Sequence, residues 1–220
     1  TIDVRRPGVK EIKSFKMNRG EIKMSNAPYS GIIRDHVGYV SLTTFTQDAG
    51  KNIEDAIKTM KKDDPLLKGV ILDLRDNGGG LLMEAINIVN IFVPNGVEVV
   101  STRGKVRDWD KTFTTQRPAL DETLPVVVLI NKHSASASEI VSGAIQDLDR
   151  GVIIGQRSYG KGLVQNTKDI GFNSKLKLTT SKYYIPSGRC IQSVSYRNGE
   201  PLDVPDNERH VFRTKGGRKV

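Results

Sequence analysis

The sequence has few of the residues that build metal and cofactor sites. Its 220 residues include one cysteine, Cys190, and three histidines. A single cysteine excludes an internal disulfide and any cysteine-rich metal site. No other group of potential ligands has the spacing of a metal site either. We therefore expect no metal and no cofactor, and we interpret Cys190 as a small residue of a strand.

Long apolar runs are also missing. The longest, such as Val126–Ile130, is far shorter than the roughly 20 residues that span a bilayer. The first residues, Thr-Ile-Asp-Val, read as a strand and not as a signal peptide, since they have no basic start and no apolar run after it. We expect no stable insertion into a membrane.

Charge is the one strong bias of the composition. The net charge is +9 and the isoelectric point is near 9.6. A basic balance can indicate nucleic acid, an anionic membrane surface or acidic substrates as partners. Here lysine and arginine are scattered along the whole chain, and no basic run alternates with the stacking aromatics that single-strand binders use. A solvated basic surface without nucleic-acid binding is the better interpretation.

The chain divides into three parts by pattern. Residues 1–24 alternate apolar and basic groups around a turn at Pro7-Gly8, which predicts two or three short strands, too few residues for an independent domain. Residues 25–36 are interpreted as a linker because they contain Asn-Ala-Pro-Tyr-Ser-Gly. Residues 37–220 form the core, and its end, about 193–220, is polar and expected to be irregular.

From residue 37 onward the pattern is that of an α/β fold. Apolar strand-like runs occupy 37–42, 69–74, 97–101, 125–131 and 152–155, and helical periodicity occupies 53–60, 82–91 and 138–148. Strands that alternate with helices predict a largely parallel sheet covered by helices. The stretch 163–184 turns to apolar–polar alternation, so this part of the chain is expected to be β-rich.

The first strand-to-helix junction with suggestive chemistry is 73–80, Asp-Leu-Arg-Asp-Asn-Gly-Gly-Gly. Consecutive glycines let the backbone turn its N–H groups toward a bound oxygen, and the next helix adds its positive end. That oxygen can belong to a phosphate or to a tetrahedral oxyanion. A phosphate-binding loop requires Gly-Lys-Ser/Thr at this point, whereas this sequence has Gly-Leu-Leu. A plain tight turn explains the glycines equally well.

The second junction contains three serines at alternate positions, in 134–139, Ser-Ala-Ser-Ala-Ser-Glu. A serine at such a turn can present its hydroxyl above the sheet edge, with the next N–H as an oxyanion donor, as in a nucleophile elbow. Ser136 with Glu139 is also a good capping box, which needs no catalysis. From this segment alone the two interpretations both remain open.

A nucleophilic serine needs a base. His133 is badly placed to reach back to Ser136, and His36 and His210 lie in polar segments with nothing to mark them. Lysine is the alternative base when its surroundings allow a neutral amine. Lys161 differs from the other lysines because it lies between two glycines. An ordinary solvated lysine in a turn is the competing interpretation.

Taken together, these segments resemble the carboxy-terminal processing peptidases, also called tail-specific serine proteases. The matching stretches are 69–82 with Leu-Asp-Leu-Arg-Asp-Asn-Gly-Gly-Gly-Leu-Leu, 134–147 from Ser-Ala-Ser-Ala-Ser-Glu-Ile, 158–165 with Ser-Tyr-Gly-Lys-Gly-Leu-Val-Gln, and 184–192 with Tyr-Ile-Pro-Ser-Gly-Arg-Cys-Ile-Gln. They occur in the order of the family and cover about residues 37 to 192.

The resemblance implies a serine endopeptidase that cleaves proteins near their C-terminus through a serine–lysine dyad. Ser136 is the implied nucleophile, Lys161 the general base, and Gln165 the residue that positions the lysine. The implied oxyanion donors are the N–H groups of Ala137 and of one glycine of the turn, for which we take Gly79. Protein or peptide C-termini are the implied partners.

The resemblance also implies a fold and a location. The fold is the spiral β-sheet core shared with ClpP and crotonase-type enzymes, preceded in the family by a PDZ domain, of which residues 1–24 resemble only the last strands. Members of the family act outside the cytoplasm, commonly in the periplasm. Two other functions remain open on the sequence: a crotonase-type enzyme that binds an acyl-CoA thioester at the glycine turn, and a peptide-binding module without catalysis.

Overall fold

The computed structural model describes residues 1–20, 25–197, 200–203 and 210–220. Its strands are β1 (Ile2–Val4), β2 (Lys13–Phe15), β3 (Tyr29–Arg34), β4 (Val37–Ser41), β5 (Gly69–Asp73), β6 (Glu98–Gly104), β7 (Lys111–Thr114), β8 (Val126–Ile130), β9 (Val152–Gly155), β10 (Leu163–Asp169), β11 (Lys175–Tyr184), β12 (Val194–Arg197) and β13 (Glu200–Asp203). The helices are α1 (Ala49–Asp63), α2 (Leu82–Phe92) and α3 (Ala137–Asp147), with one 3₁₀ turn at Arg107–Trp109.

A five-stranded sheet forms the centre, in the order β3-β4-β5-β8-β9. Strands β4, β5, β8 and β9 are parallel to one another, and β3 is antiparallel to β4. Val40, Leu72 and Val128 lie side by side across the middle strands and are fully buried. They share one core with the apolar stripes of the three helices, which include Ile57 of α1 and Ile145 of α3.

The other sheets are antiparallel. Strands β10-β11-β6-β7 form a four-stranded sheet, β12 pairs with β13, and β1 pairs with β2. The long β10–β11 hairpin follows directly from the loop that contains Lys161. This second sheet is the β-rich part that the alternation at 163–184 predicted.

The predicted α/β class is confirmed, but two stretches of the chain contain strands that the sequence pattern did not predict. Residues 25–36 were expected to be a linker, yet β3 pairs with the outer edge of β4, and the ring of Tyr29 packs 5.8 Å from that of Tyr39. The turn-forming residues around Pro28 hid a strand, because an edge strand needs a partner more than a strong propensity of its own. The end of the chain, expected to be irregular from about 193, contains the β12–β13 hairpin.

The topology places the two suspected junctions side by side. β5 and β8 are neighbouring parallel strands, so their carboxyl ends lie at the same edge of the sheet. The turn 73–80 leaves β5 and the serine segment 134–138 leaves β8, each on the way to a helix. Ligand sites in α/β sheets form at such an edge.

Candidate active site

Ser136 lies at a sharp turn between β8 and α3. Its backbone has φ 56° and ψ −112°, a conformation that residues other than glycine rarely adopt, and it is the residue before the first turn of α3. Holding a serine in this region costs of order 1–3 kcal/mol, which the surrounding structure must offset. A strained serine at a strand-to-helix turn is the geometry of a nucleophile elbow.

The three serines of the segment have different hydrogen bonds. The Ser134 hydroxyl is fully buried, donates to the carbonyl of Leu74 at 2.8 Å and accepts the N–H of Asn131 at 2.9 Å. The Ser138 hydroxyl is fully buried and donates to the carbonyl of Asn77 at 2.8 Å. The hydroxyl of Ser136 is partly exposed and lies toward the N–H of Glu139 as in a capping box, but it donates no hydrogen bond to any of the described residues. Only the middle serine therefore has a hydroxyl that is free to react.

The glycine turn lies directly against this elbow. A Cβ on Gly79 would lie 2.7 Å from the carbonyl oxygen of Ala135 and 2.9 Å from the backbone nitrogen of Ala137, and the φ of Gly79 is +98°. Only glycine allows this approach. The N–H of Ala137 has no acceptor among the described residues. The N–H of Gly79 donates to Asn77 Oδ1 at 2.9 Å, so an oxyanion there must share or displace that bond.

Glu139 connects the elbow to the loop that contains Lys161. Its side chain is buried, Oε2 accepts the N–H groups of Ser136 and Lys161, both at 2.8 Å, and Oε1 accepts the N–H of Gly160 at 2.5 Å. One carboxylate oxygen thus lies between the backbone nitrogens of the two residues predicted to react. A carboxylate provides acceptors for all three donors, which a neutral side chain cannot.

The side chains of the predicted dyad are not joined in this conformation. Lys161 is exposed, and within the described residues no hydrogen bond links its Nζ to the Ser136 hydroxyl. Gln165 lies on β10 opposite Thr179, is also exposed, and makes no hydrogen bond to Lys161 within the same residues. The structure brings the backbones of Ser136 and Lys161 together and leaves the side-chain contacts open.

A charged cluster fixes the start of the glycine turn. The buried Asp73 accepts hydrogen bonds from Arg75 Nη2 and from the Tyr39 hydroxyl, both at 2.6 Å, and from the N–H of Arg75 at 2.9 Å. Burial alone would raise the pKa of Asp73, but these hydrogen bonds outweigh it and hold the pKa below its usual range. The same contacts raise the pKa of Arg75, so both groups stay charged.

Two residues set aside on sequence grounds have partners of their own. His36 pairs with Asp64 at 2.7 Å on the surface, and Cys190 is a partly buried free thiol opposite Tyr184. In the described part of the chain no three His, Cys, Asp or Glu side chains gather as a metal site would require. Within that part, no helix combines the length and the apolar character needed to cross a membrane.

A comparison of the sequence with protein families gives the identity of the fold. Residues 36–197 match the sequence pattern of Peptidase family S41. The chain belongs to this family. The match contains the glycine turn 73–80, the serine segment 134–138 and the loop that contains Lys161.

Relatives and solved structures agree with the S41 assignment. The chain is 40% identical over 212 residues to a carboxy-terminal-processing protease of Bartonella bacilliformis, and 34% identical over 197 residues to a probable CtpA-like serine protease of Staphylococcus aureus. These matches cover 96% and 89% of the chain but only 48% and 38% of the relatives, so the chain spans about half their length or less. The photosystem II D1 C-terminal processing protease superposes with a TM-score of 0.68 at 26% identity, over 89% of this chain and 51% of that one.

Several residues of this S41 site were not assigned a role from the sequence. Glu139 was noted only as a capping partner, and Asp73, Arg75 and Asn77 only as parts of a turn. The spacing of Ser136 and Glu139 gave a signal for one of the three hydrogen bonds of Glu139. Nothing in the sequence indicated that the same carboxylate also binds the loop of Lys161.

Proposed function

We propose that this chain is the catalytic core of a serine endopeptidase that cleaves proteins near their C-terminus, with Ser136 as nucleophile and Lys161 as base. The observation that carries the proposal is the strained elbow at Ser136, whose hydroxyl is free while those of Ser134 and Ser138 are used in buried hydrogen bonds. The S41 assignment favours peptide cleavage over an acyl-CoA reaction. The names of the two bacterial relatives and of the D1 processing protease support a protein substrate.

The proposed reaction is acyl transfer to water. The neutral amine of Lys161 takes the proton of the Ser136 hydroxyl, whose oxygen forms a bond to the carbonyl carbon of the scissile peptide. When the C–N bond breaks, the ammonium of Lys161 returns the proton to the leaving amine. Water then hydrolyses the ester on Ser136, again with Lys161 as the base.

The oxyanion of each tetrahedral intermediate would bind at the junction of the two turns. We propose Ala137 and Gly79 as its donors, because the free N–H of Ala137 lies beside the close approach of Gly79. An oxyanion that displaces Asn77 Oδ1 from Gly79 would take over an N–H that is already turned toward an oxygen. One donor of this kind contributes about 3 kcal/mol of transition-state stabilisation.

Assembly of the dyad requires a movement of side chains and not of the fold. Glu139 already holds the backbone nitrogens of Ser136 and Lys161 on one oxygen. Rotation of the four-carbon stem of Lys161 is the movement that brings its amine to the hydroxyl. We propose that a substrate laid over the site covers this lysine, and that Gln165 contacts the amine in that state.

The arrangement of the longer protein is part of the same proposal. We propose that residues 1–24, of which 21–24 lie outside the described residues, are the last strands of a PDZ domain. Within the part of the chain that the structure describes, β1 pairs only with β2 and nearly all residues before 20 are exposed, which supports this proposal. We also propose that the protein acts outside the cytoplasm, as the resemblance to the processing peptidases implies.

The experiment is incubation of the purified chain with an unstructured protein that ends in apolar residues, beside the Ser136→Ala variant. The expected result is cleavage near the C-terminus by the wild-type chain only. Cleavage that is unchanged in Ser136→Ala would reject the nucleophile. Binding of the substrate without any cleavage by the wild-type chain would favour a non-catalytic peptide-binding module.

A further inference from the structure

The backbone N–H groups of the loop that contains Lys161 donate to side chains and not to a neighbouring strand or helix backbone. We call residues 160–162 the lysine loop. The N–H groups of Gly160 and Lys161 donate to Glu139, and the N–H of Gly162 donates to Oε1 of Gln192 at 2.9 Å. All three consecutive backbone donors of the lysine loop therefore end on side-chain oxygens. Two of these bonds go to α3, and the third goes to a segment 30 residues further along the chain.

The side-chain amide of Gln192 has only one orientation that satisfies its surroundings. Its oxygen accepts from Gly162, and its nitrogen donates to the carbonyl of Val194 at 3.1 Å. Rotating the amide by half a turn would set its NH₂ against the N–H of Gly162 and its oxygen against the carbonyl of Val194. Gln192 thus binds one backbone donor and one backbone acceptor at once, and no other side chain of similar shape offers both an oxygen and an NH₂ group for these two bonds.

The backbone around Gln192 also packs directly on the lysine loop. A Cβ on Gly162 would lie 2.2 Å from the nitrogen of Gln192, and one on Gly160 would lie 2.2 Å from the hydroxyl oxygen of Ser193. The N–H of Ser193 donates to the carbonyl of Gly160 at 3.1 Å. The two glycines that flank Lys161 are therefore explained by contact with residues 192 and 193.

The segment 185–193, which carries Gln192, is itself tied to α3. The N–H of Ser187 donates to the buried carboxylate of Asp147 at 3.0 Å, and Arg189 Nη2 donates to Gln146 Oε1 at 2.7 Å. Because α3 also begins directly after Ser136, one helix supports the nucleophile and both sides of the lysine loop. The segment that carries Gln192 is therefore held in place by α3.

We propose that Gln192 is a positioning residue, which fixes the lysine loop and thereby the direction in which Lys161 leaves the backbone. This inference rests on the proposed function, since it gives Gln192 its effect through the base. Misplacing a reacting group by about 1 Å costs as much as 10²-fold in rate, even when the change lies outside the chemistry. Because Gln192 acts through the position of Lys161, we expect the loss in kcat and not in KM.

The test compares three variants of the 220-residue chain in peptide cleavage. Gln192→Met keeps the length but loses both hydrogen bonds, and about a 10- to 100-fold fall in kcat with KM within about twofold is expected. Gln192→Glu keeps the acceptor for Gly162 but places an oxygen against the carbonyl of Val194, so it should recover only part of that kcat. Gln116→Met is the control, since it also removes glutamine side-chain hydrogen bonds, those to Thr114 on β7 at the opposite edge of the sheet from β10, and it should leave kcat nearly unchanged.

A second measurement separates this inference from the proposed function. Amide hydrogen exchange across residues 158–163 is followed in the wild-type chain and in Gln192→Met, which needs no catalysis. Faster exchange in the variant is expected, whereas unchanged exchange would overturn the inference even if the chain cleaves peptides. A kcat of Gln192→Met within twofold of the wild type, or an equal loss in Gln116→Met, would overturn it as well. If exchange is faster in Gln192→Met but the wild-type chain has no peptidase activity, only the proposed reaction is rejected.

Discussion

Replacing each of the three serines of the segment 134–138 by alanine is expected to give opposite orders of stability and activity. Ser134→Ala leaves the N–H of Asn131 buried without its acceptor, which costs about 1–3 kcal/mol. Ser138→Ala removes one bond to the carbonyl of Asn77, which still accepts the N–H of Ala135 at 3.0 Å, so the cost is about 1 kcal/mol.

Ser136→Ala is expected to behave in the reverse way. Its hydroxyl donates no hydrogen bond to the described residues, so the free energy of unfolding should change by no more than about 0.5 kcal/mol. Cleavage should fall by at least about 10⁴-fold, because the nucleophile is gone. Ser134→Ala and Ser138→Ala should retain cleavage within about tenfold of the wild type, as long as they are folded.

The assay pairs urea unfolding with peptide cleavage at a temperature where all three variants are folded. The rank of destabilisation should run Ser134, Ser138, Ser136, and the rank of lost activity should place Ser136 first by a wide margin. Folded but inactive Ser138→Ala, or Ser136→Ala with more than a tenth of the wild-type activity, would refute the reasoning.

Three other outcomes test the rest of the site. Lys161→Arg should be as inactive as Lys161→Ala, because a guanidinium with a pKa above about 12 does not give up its proton in a working enzyme; substantial cleavage by the arginine variant, measured beside circular dichroism of both, would remove the dyad. Glu139→Gln should lower kcat at least about tenfold and the free energy of unfolding by about 1–3 kcal/mol, because the amide NH₂ would face one of three backbone N–H groups. A kcat equal to that of the wild type would show that Glu139 does not position the lysine loop. Because the pKa of Asp73 is depressed in the folded chain, its carboxylate stabilises the fold above about pH 4, and this stabilisation is lost as pH falls through the folded-state pKa. Between pH 7 and pH 3, the free energy of unfolding should therefore fall less in Asp73→Asn than in the wild type. An equal fall would assign the acid sensitivity to other groups.

The sequence predicted well wherever a pattern is local. Apolar periodicity placed the helices and the parallel strands, since each element needs a repeated buried stripe of its own. It predicted less well the strands that have little apolar pattern. β3 and the β12–β13 hairpin were missed because their pairing depends on an edge or a partner elsewhere in the chain.

The candidate site shows the same division between local and long-range information. The turn chemistry around Ser136 and Lys161 made both residues candidates, and the resemblance to the processing peptidases singled them out. Their spatial relation to each other could not be predicted. The carboxylate of Glu139 gathers donors from two segments, and Gln192 meets Gly162 from a third, so these contacts exist only after the sheet edge and α3 have brought the segments together.

The sequence by itself therefore determined the fold class and the order of the helices and parallel strands, and its family resemblance gave the two residues proposed to react. Tertiary structure alone decided which serine hydroxyl is free, how closely Gly79 approaches Ala137, and which side chains hold the lysine loop. The physical reason is the range of the interactions: periodicity and turn preference act within a few residues, whereas a hydrogen bond or a close contact is set by distances of tenths of an ångström between segments that are remote in the chain.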